Sequence, residues 1–191
     1  MDGPAAIVGY MGSGKTTVGR ILARKLGWEF VDLDLAIART EGRSIPEIFA
    51  DSGEQCFRDL EHQMLLALVE SNAQNRIIAC GGGIVVRAEN RDLLKNIATV
   101  FLEESIDVLY ERTRGTDRPL RGAGPEEFER RYRERLPLYR EVADFTVHVR
   151  GRSPRRVAIE ILRRLRDDPR PRARRWAERA FLLLEKVFSC V

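Results

Sequence analysis

Residues 9–17 read Gly-Tyr-Met-Gly-Ser-Gly-Lys-Thr-Thr, an order of small residues, one cation and two hydroxyls that suits a polyphosphate. Glycines let the backbone turn its N–H groups inward and approach an anion closely, and a helix starting there adds its positive end. Gly12, Ser13, Gly14 and Thr17 would form that cradle. Lys15 would reach the β- and γ-phosphates, and the Thr16 hydroxyl would serve as an oxygen ligand for Mg²⁺. The spacing from Gly9 to Thr16 fits G-x-x-x-x-G-K-[ST], the P-loop. A glycine turn that merely precedes a lysine is the bland alternative. The apolar run before the motif and the helical pattern after it argue for the cradle. The motif names a nucleotide and leaves the reaction open.

A second set of residues has the chemistry of an acceptor site. The strings DxxG and NKxD of GTPases do not occur, nor do HRD and DFG of protein kinases. A chain of this size with an Arg-Gly loop in its second half suits a small-molecule kinase whose lid excludes water. Transfer to a hydroxyl needs a group to orient or deprotonate it and cations for the charge that develops. Asp32 and Asp34 end an extended run, "EFVDLD", and on a strand both would point to the same side. One would serve the metal and the other the acceptor; Asp32 as the cap of a following helix is the alternative. Arg58 stands one helical turn from Glu54 and Glu61, as expected either for a binding site or for an ion-pair cluster on a wet face. Gly81, Gly82 and Gly83 follow another apolar run, where a ligand could approach the backbone or the chain simply turn sharply. Arg135 precedes Pro137, which predicts a last-turn position with favourable helix-dipole charge.

The elements that must hold these residues alternate regularly. Runs at 5–8, 29–34, 76–80, 98–102 and 145–149 read as five strands, several without clean alternation, as expected of strands buried on both faces. Helical patterns lie at 15–26, 54–71, 88–95, 105–112, 126–136 and 154–166. Capping boxes at Ser44–Glu47 and Ser52–Gln55 mark helix starts. This alternation predicts an α/β fold with a parallel sheet covered on both sides. Residues 113–125, with their glycines, prolines and arginines, predict a mobile loop. The kinase domain is expected over 1–167, and 168–191 would form a basic linker and an amphipathic helix of open role.

Composition sets the outer bounds. Of the net charge of +4, the 168–191 segment, with six Arg/Lys and three Asp/Glu, carries +3. A nearly neutral body does not suggest a nucleic-acid partner. Three cysteines without CxxC spacing, and no signal peptide, point to a reducing, cytoplasmic setting without a disulfide framework or zinc site. No uncharged apolar run approaches the ~20 residues of a membrane span. A monomer is expected for the body, with self-association through the tail as the other option.

Six motifs in fixed order, "GYMGSGKTTVG", "DLD", "GExxFRxxE", "GGG" at 81–83, "RPL" at 118–120 and "RLPLY" at 135–139, make residues 5–166 resemble the shikimate kinases. The resemblance implies a P-loop kinase fold of three α/β/α layers with a five-stranded parallel sheet and a mobile lid. It implies transfer of the ATP γ-phosphoryl group to the 3-hydroxyl of shikimate. Asp34 would then bind the acceptor hydroxyls and act as base or orienting group, with Arg58, Arg135 and the backbone at Gly82 on the carboxylate. Lys15 and Arg118 would stabilise the transferring phosphate, and Thr16 with Asp32 would hold Mg²⁺. Arg112 and the Arg152–Pro154 turn would clamp the adenine. A kinase of another carboxylated polyol, such as gluconate, and a nucleotide-binding module without catalysis are the competing functions.

Overall fold

The computed structural model describes residues 3–71, 75–115 and 124–167. Five strands, β1 (Ala5–Val8), β2 (Glu29–Asp32), β3 (Arg76–Ala79), β4 (Ala98–Glu103) and β5 (Phe145–His148), pair in the order β2-β3-β1-β4-β5, all parallel. The helices are α1 (Lys15–Leu26), α2 (Leu33–Glu41), α3 (Ile45–Glu70), α4 (Ala88–Lys95), α5 (Ile106–Arg112), α6 (Pro125–Val142) and α7 (Pro154–Asp167).

Strand residues divide between two cores by the period of two. Ala5, Ile7, Ile77, Val100 and Leu102 join α1 and α7 on one face of the sheet. Ala6, Val8, Ile78 and Phe101 join the helices from α2 to α6 on the other. Both strand faces are thus buried, which explains runs such as Ala5–Val8 that are apolar throughout. The result is the three-layer α/β/α arrangement with a central five-stranded parallel sheet. β1 lies between β3 and β4, so the chain changes direction across the sheet there. The carboxyl ends of β1, β2 and β3 open into one crevice, where ligands of such sheets bind.

Two differences between predicted and observed boundaries bear on the site, and a third boundary is met by a kink. The second strand stops at Asp32 instead of 34, because the Asp32 carboxylate accepts the Leu35 N–H at 3.4 Å and starts α2, the helix that the capping alternative requires. Asp34 therefore occupies a first helical turn, and the same-side argument for two strand aspartates fails. The predicted helix at 54–71 is the second arm of α3, which begins at the Ser44–Glu47 capping box and kinks at Gly53 (φ 78°, ψ 173°). The break predicted at Ser52 is thus present: Gly53 leaves helical geometry and separates two helical arms. Lastly, α6 continues through Pro137 to Val142, so Arg135 is mid-helix and has no special claim on the helix dipole. A proline inside a helix costs ~3 kcal/mol. Burial of Tyr139 and Val142 beyond it, at ~1.5–3 kcal/mol each, offsets that. Phe128, Tyr132, Arg135, Tyr139 and Val142 form one continuous buried stripe.

Candidate active site

The loop between β1 and α1 turns on glycine conformations. Gly12 and Gly14 have φ of 82° and 91°, in the left-handed region that side chains disfavour. Lys15 is buried at the start of α1, and its Nζ donates to the carbonyls of Gly9 and Tyr10, each at 2.9 Å. Those contacts hold a cation inside a ring of backbone. Thr16 Oγ1 donates to Asp32 Oδ2 at 2.7 Å, joining the first turn of α1 to the end of β2. Asp32 is therefore the helix cap considered as its alternative role, and it is also the partner of the P-loop hydroxyl. Gly12, Gly14, Lys15, Thr16, Thr17, Asp32, Asp34, Leu35, Cys80, Gly82 and Arg112 line a cavity of about 430 Å³ above the loop. Ser13, between Gly12 and Gly14, is buried and is not among the lining residues.

Beside it lies a smaller cavity of about 70 Å³, walled by Met11, Asp34, Ile45, Phe49, Phe57, Arg58, Glu61, Gly81, Gly82, Gly83 and Arg135. Asp34 and Gly82 line both cavities and form the partition between them. Phe49 and Phe57 pack at 4.9 Å between ring centroids across the Gly53 kink. The bend thus folds an aromatic wall onto the pocket.

Arg58 makes the ion pairs that the spacing predicted, 3.0 Å to Glu54 and 2.6 Å to Glu61. The Glu61 pair does not lie on a wet face, with Arg58 6% exposed and Glu61 0%, whereas Glu54 is exposed and meets Arg58 at the surface. Burial pushes the Glu61 carboxyl up to about 7; the Arg58 guanidinium opposes the rise and the Asp34 carboxylate adds to it. Two glycines of the triplet, Gly81 and Gly83, are explained by these neighbours. A Cβ on Gly81 would stand 2.6 Å from carboxylate oxygens of both Asp34 and Glu61, and one on Gly83 would fall inside the Arg58 guanidinium. Arg135 crosses from α6, donating from Nη1 to the Gly82 carbonyl at 3.3 Å and lying over the Tyr10 ring at 5.7 Å. The Tyr139 hydroxyl donates to the same carbonyl, and burial raises its pKa well above the usual tyrosine value.

All six residues expected at the acceptor, Asp34, Arg58, Gly81, Gly82, Gly83 and Arg135, line one cavity, and Gly12, Gly14, Lys15, Thr16 and Thr17 with Asp32 line the other. Arg112 also reaches the larger cavity, with Nη1 donating to the Gly12 carbonyl at 3.2 Å. Arg152 and Pro154 are not among the lining residues. Arg152 is held by Glu160 at 2.6 Å and by the His148 carbonyl at 3.2 Å, and Pro154 opens α7. Arg118, most of the expected lid and the 168–191 segment lie outside the described residues. In the sequence Glu61 reads as an ion-pair partner of Arg58 and not as part of the pocket. Its place three residues after Arg58 was the available signal. For Ile45 and Phe49 no local signal existed, since the α2–α3 turn brings them in.

No group of three or more His, Cys, Asp or Glu suited to a metal occurs among the described residues. The oxygen pair of Thr16 and Asp32 nonetheless fits Mg²⁺, which is commonly held by one or two protein oxygens together with substrate phosphates.

Residues 11–166 match the family model for shikimate kinase. A shikimate kinase of Marinomonas sp. (strain MWYL1) is 42% identical over 160 residues, which span 82% of this chain and 88% of the relative. One of Persephonella marina (strain DSM 14350 / EX-H1) is 39% identical over 162 residues, 84% of this chain and 97% of the relative. A solved structure, shikimate kinase from Acinetobacter baumannii in complex with shikimate, superposes with a TM-score of 0.81 at 38% identity, covering 85% of this chain and 92% of the other.

Proposed function

The chain belongs to the shikimate kinase family, and from that premise we infer that it transfers the γ-phosphoryl group of ATP to the 3-hydroxyl of shikimate, giving shikimate 3-phosphate and ADP in the route to chorismate and the aromatic amino acids. The observation that carries this reading is the partition at Asp34 and Gly82. A polyphosphate cradle and a pocket with two arginines meet there, so donor and acceptor would be neighbours across one carboxylate.

In this reading Arg58 and Arg135 bind the acceptor carboxylate through the forked, charge-assisted contacts that guanidinium groups make best. Gly81, Gly82 and Gly83 line the acceptor pocket with backbone, and the missing side chains at 81 and 83 leave room for Asp34, Glu61 and Arg58 to face it. Asp34 orients the hydroxyl and takes up its proton as the O–P bond forms. Gly12, Ser13, Gly14 and Thr17 present backbone N–H groups to the phosphates. Lys15 exchanges its two carbonyl contacts for the β- and γ-phosphate oxygens, and Arg118 adds a second cation to the transferring group. Thr16 and Asp32 would hold Mg²⁺, which supplies neutralisation of phosphate charge when bound. Arg112, with Arg152 and Pro154, would face the adenine. The catalytic unit is 1–167, acting as a cytoplasmic monomer without a nucleic-acid partner. No helix among the described residues is long and apolar enough to cross a membrane.

A coupled ADP-release assay with shikimate and with gluconate tests the substrate. Turnover with shikimate is expected; turnover with gluconate alone would overturn the assignment, and turnover with neither would favour a binding module. Asp34→Asn should lower kcat by ~10²–10⁴-fold with ATP binding intact. An unimpaired variant would remove Asp34 from the chemistry.

A further inference from the structure

We propose that Glu104 is a positioning residue for nucleotide binding, a buried carboxylate that holds the Arg112 guanidinium over the P-loop. The proposal rests on the larger cavity being the ATP site. Glu104 immediately follows β4 at the carboxyl edge of the sheet, and its side chain is 0% exposed. A carboxylate so buried has to be compensated by hydrogen bonds and a countercharge. Its Oε1 accepts the Ser105 backbone N–H at 2.9 Å. Its Oε2 has no hydrogen bond among the described residues and lies 3.3 Å from Arg112 Nη2, so the guanidinium supplies the countercharge.

The rest of the arrangement transmits this anchor to the loop. The Tyr132 hydroxyl of α6 donates to the Glu104 carbonyl at 3.1 Å, which fixes the acid from a third element. Arg112, whose own side chain is 47% exposed, uses Nη1 on the Gly12 carbonyl. Gly12 is itself packed against the end of α5: a Cβ there would meet Thr113 Cγ2 at 3.1 Å and the Leu109 carbonyl at 3.2 Å. A half-exposed arginine ordinarily samples many rotamers and loses that freedom on binding a ligand. Here the buried acid has already restricted it, and such preorganisation appears as affinity. The ordered contacts run from α6 through Glu104 and Arg112 to the loop that cradles the phosphates.

The test is calorimetric titration of ADP into the full chain carrying Glu104→Gln, Arg112→Ala, or both. Glu104→Gln keeps the shape and removes the charge. It should weaken ADP binding about 3- to 10-fold, the effect of ordering one long side chain anew. In the Arg112→Ala background the same change should alter affinity by less than about 1.5-fold, as expected for residues acting through one contact. The shikimate KM should stay unchanged in Glu104→Gln, which also reports a folded protein. Should that variant not fold, Glu104→Leu fills the same buried space without charge and must reproduce the result. Unaltered ADP affinity in Glu104→Gln, or an equal loss with and without Arg112, would overturn the proposal. ADP binding requires no acceptor, so failure of shikimate as substrate leaves this cycle readable. A wild-type chain that does not bind ADP would sink the nucleotide reading and this inference together.

Discussion

Replacing Glu61 by glutamine should change how stability depends on pH, and the size of the change follows from the pocket. Glu61 is fully buried, 2.6 Å from Arg58, and its carboxyl is raised from 4.5 to about 7, first by burial. Between those values the native protein holds a proton that the unfolded chain has released. The native state thus binds more protons, and stability falls as pH rises. This contribution is fully present below pH 4.5 and lost once pH has passed about 7. At ~1.4 kcal/mol per pH unit, the loss amounts to about 3 kcal/mol. Glutamine resembles the protonated acid at every pH, so Glu61→Gln lacks this slope. The altered contact with Arg58 adds an offset without pH dependence. Urea unfolding of both proteins at pH 5, 6, 7 and 8 and constant ionic strength measures the difference. Part of this is already gone at pH 5, so the wild type should lose about 2.5 kcal/mol more than the variant over that range. A flat difference would mean that Glu61 titrates as an ordinary glutamate. A difference of opposite sign would mean that Arg58 outweighs burial, and the account of the pocket would fail.

Arg58→Ala should raise the shikimate KM by ~10- to 100-fold through lost charge-assisted bonds, with the ATP KM within about twofold; steady-state kinetics with each substrate varied would place the arginine elsewhere if the ATP side moved instead. Gly83→Ala drives a methyl group into the Arg58 guanidinium. Calorimetry should therefore show acceptor binding weakened at least about tenfold with ADP binding retained, and equal losses would point to general misfolding. Thr16→Val removes the hydroxyl that meets Asp32 at 2.7 Å, so the Mg²⁺ concentration for half-maximal rate should rise several-fold. An unchanged Mg²⁺ dependence would take Thr16 out of the metal site.

The P-loop was fully legible because its chemistry is local. Three glycines, a lysine and hydroxyls specify their own turn and the helix that follows. The three central strands, β1, β3 and β4, were legible for a related reason, since burial on both faces leaves short apolar runs that no helix pattern matches. Asp34 was identified as a site residue for a partly wrong reason. The extended look of "EFVDLD" hid the Asp32 cap, a single side-chain hydrogen bond that ends the strand two residues early. Pro137 misled in the opposite direction. Its local penalty was read as a helix end, although the buried stripe from Phe128 to Val142 outweighs it.

What the sequence determined alone was therefore the phosphate cradle, the alternation of strands and helices and the residue types of the acceptor set. What only tertiary structure decided was where those residues stand relative to one another. Arg58, Gly82 and Arg135 come from three elements far apart in the chain, and packing of α3 and α6 on the same face of the sheet brings them around one cavity. Burial, too, is a tertiary property. The i,i+3 spacing of Arg58 and Glu61 is compatible with a weak surface pair, and only their enclosure beside Asp34 raises the Glu61 carboxyl to about 7. Helical spacing is set by adjacent backbone bonds, whereas the dielectric around a charge is set by what the rest of the chain places against it.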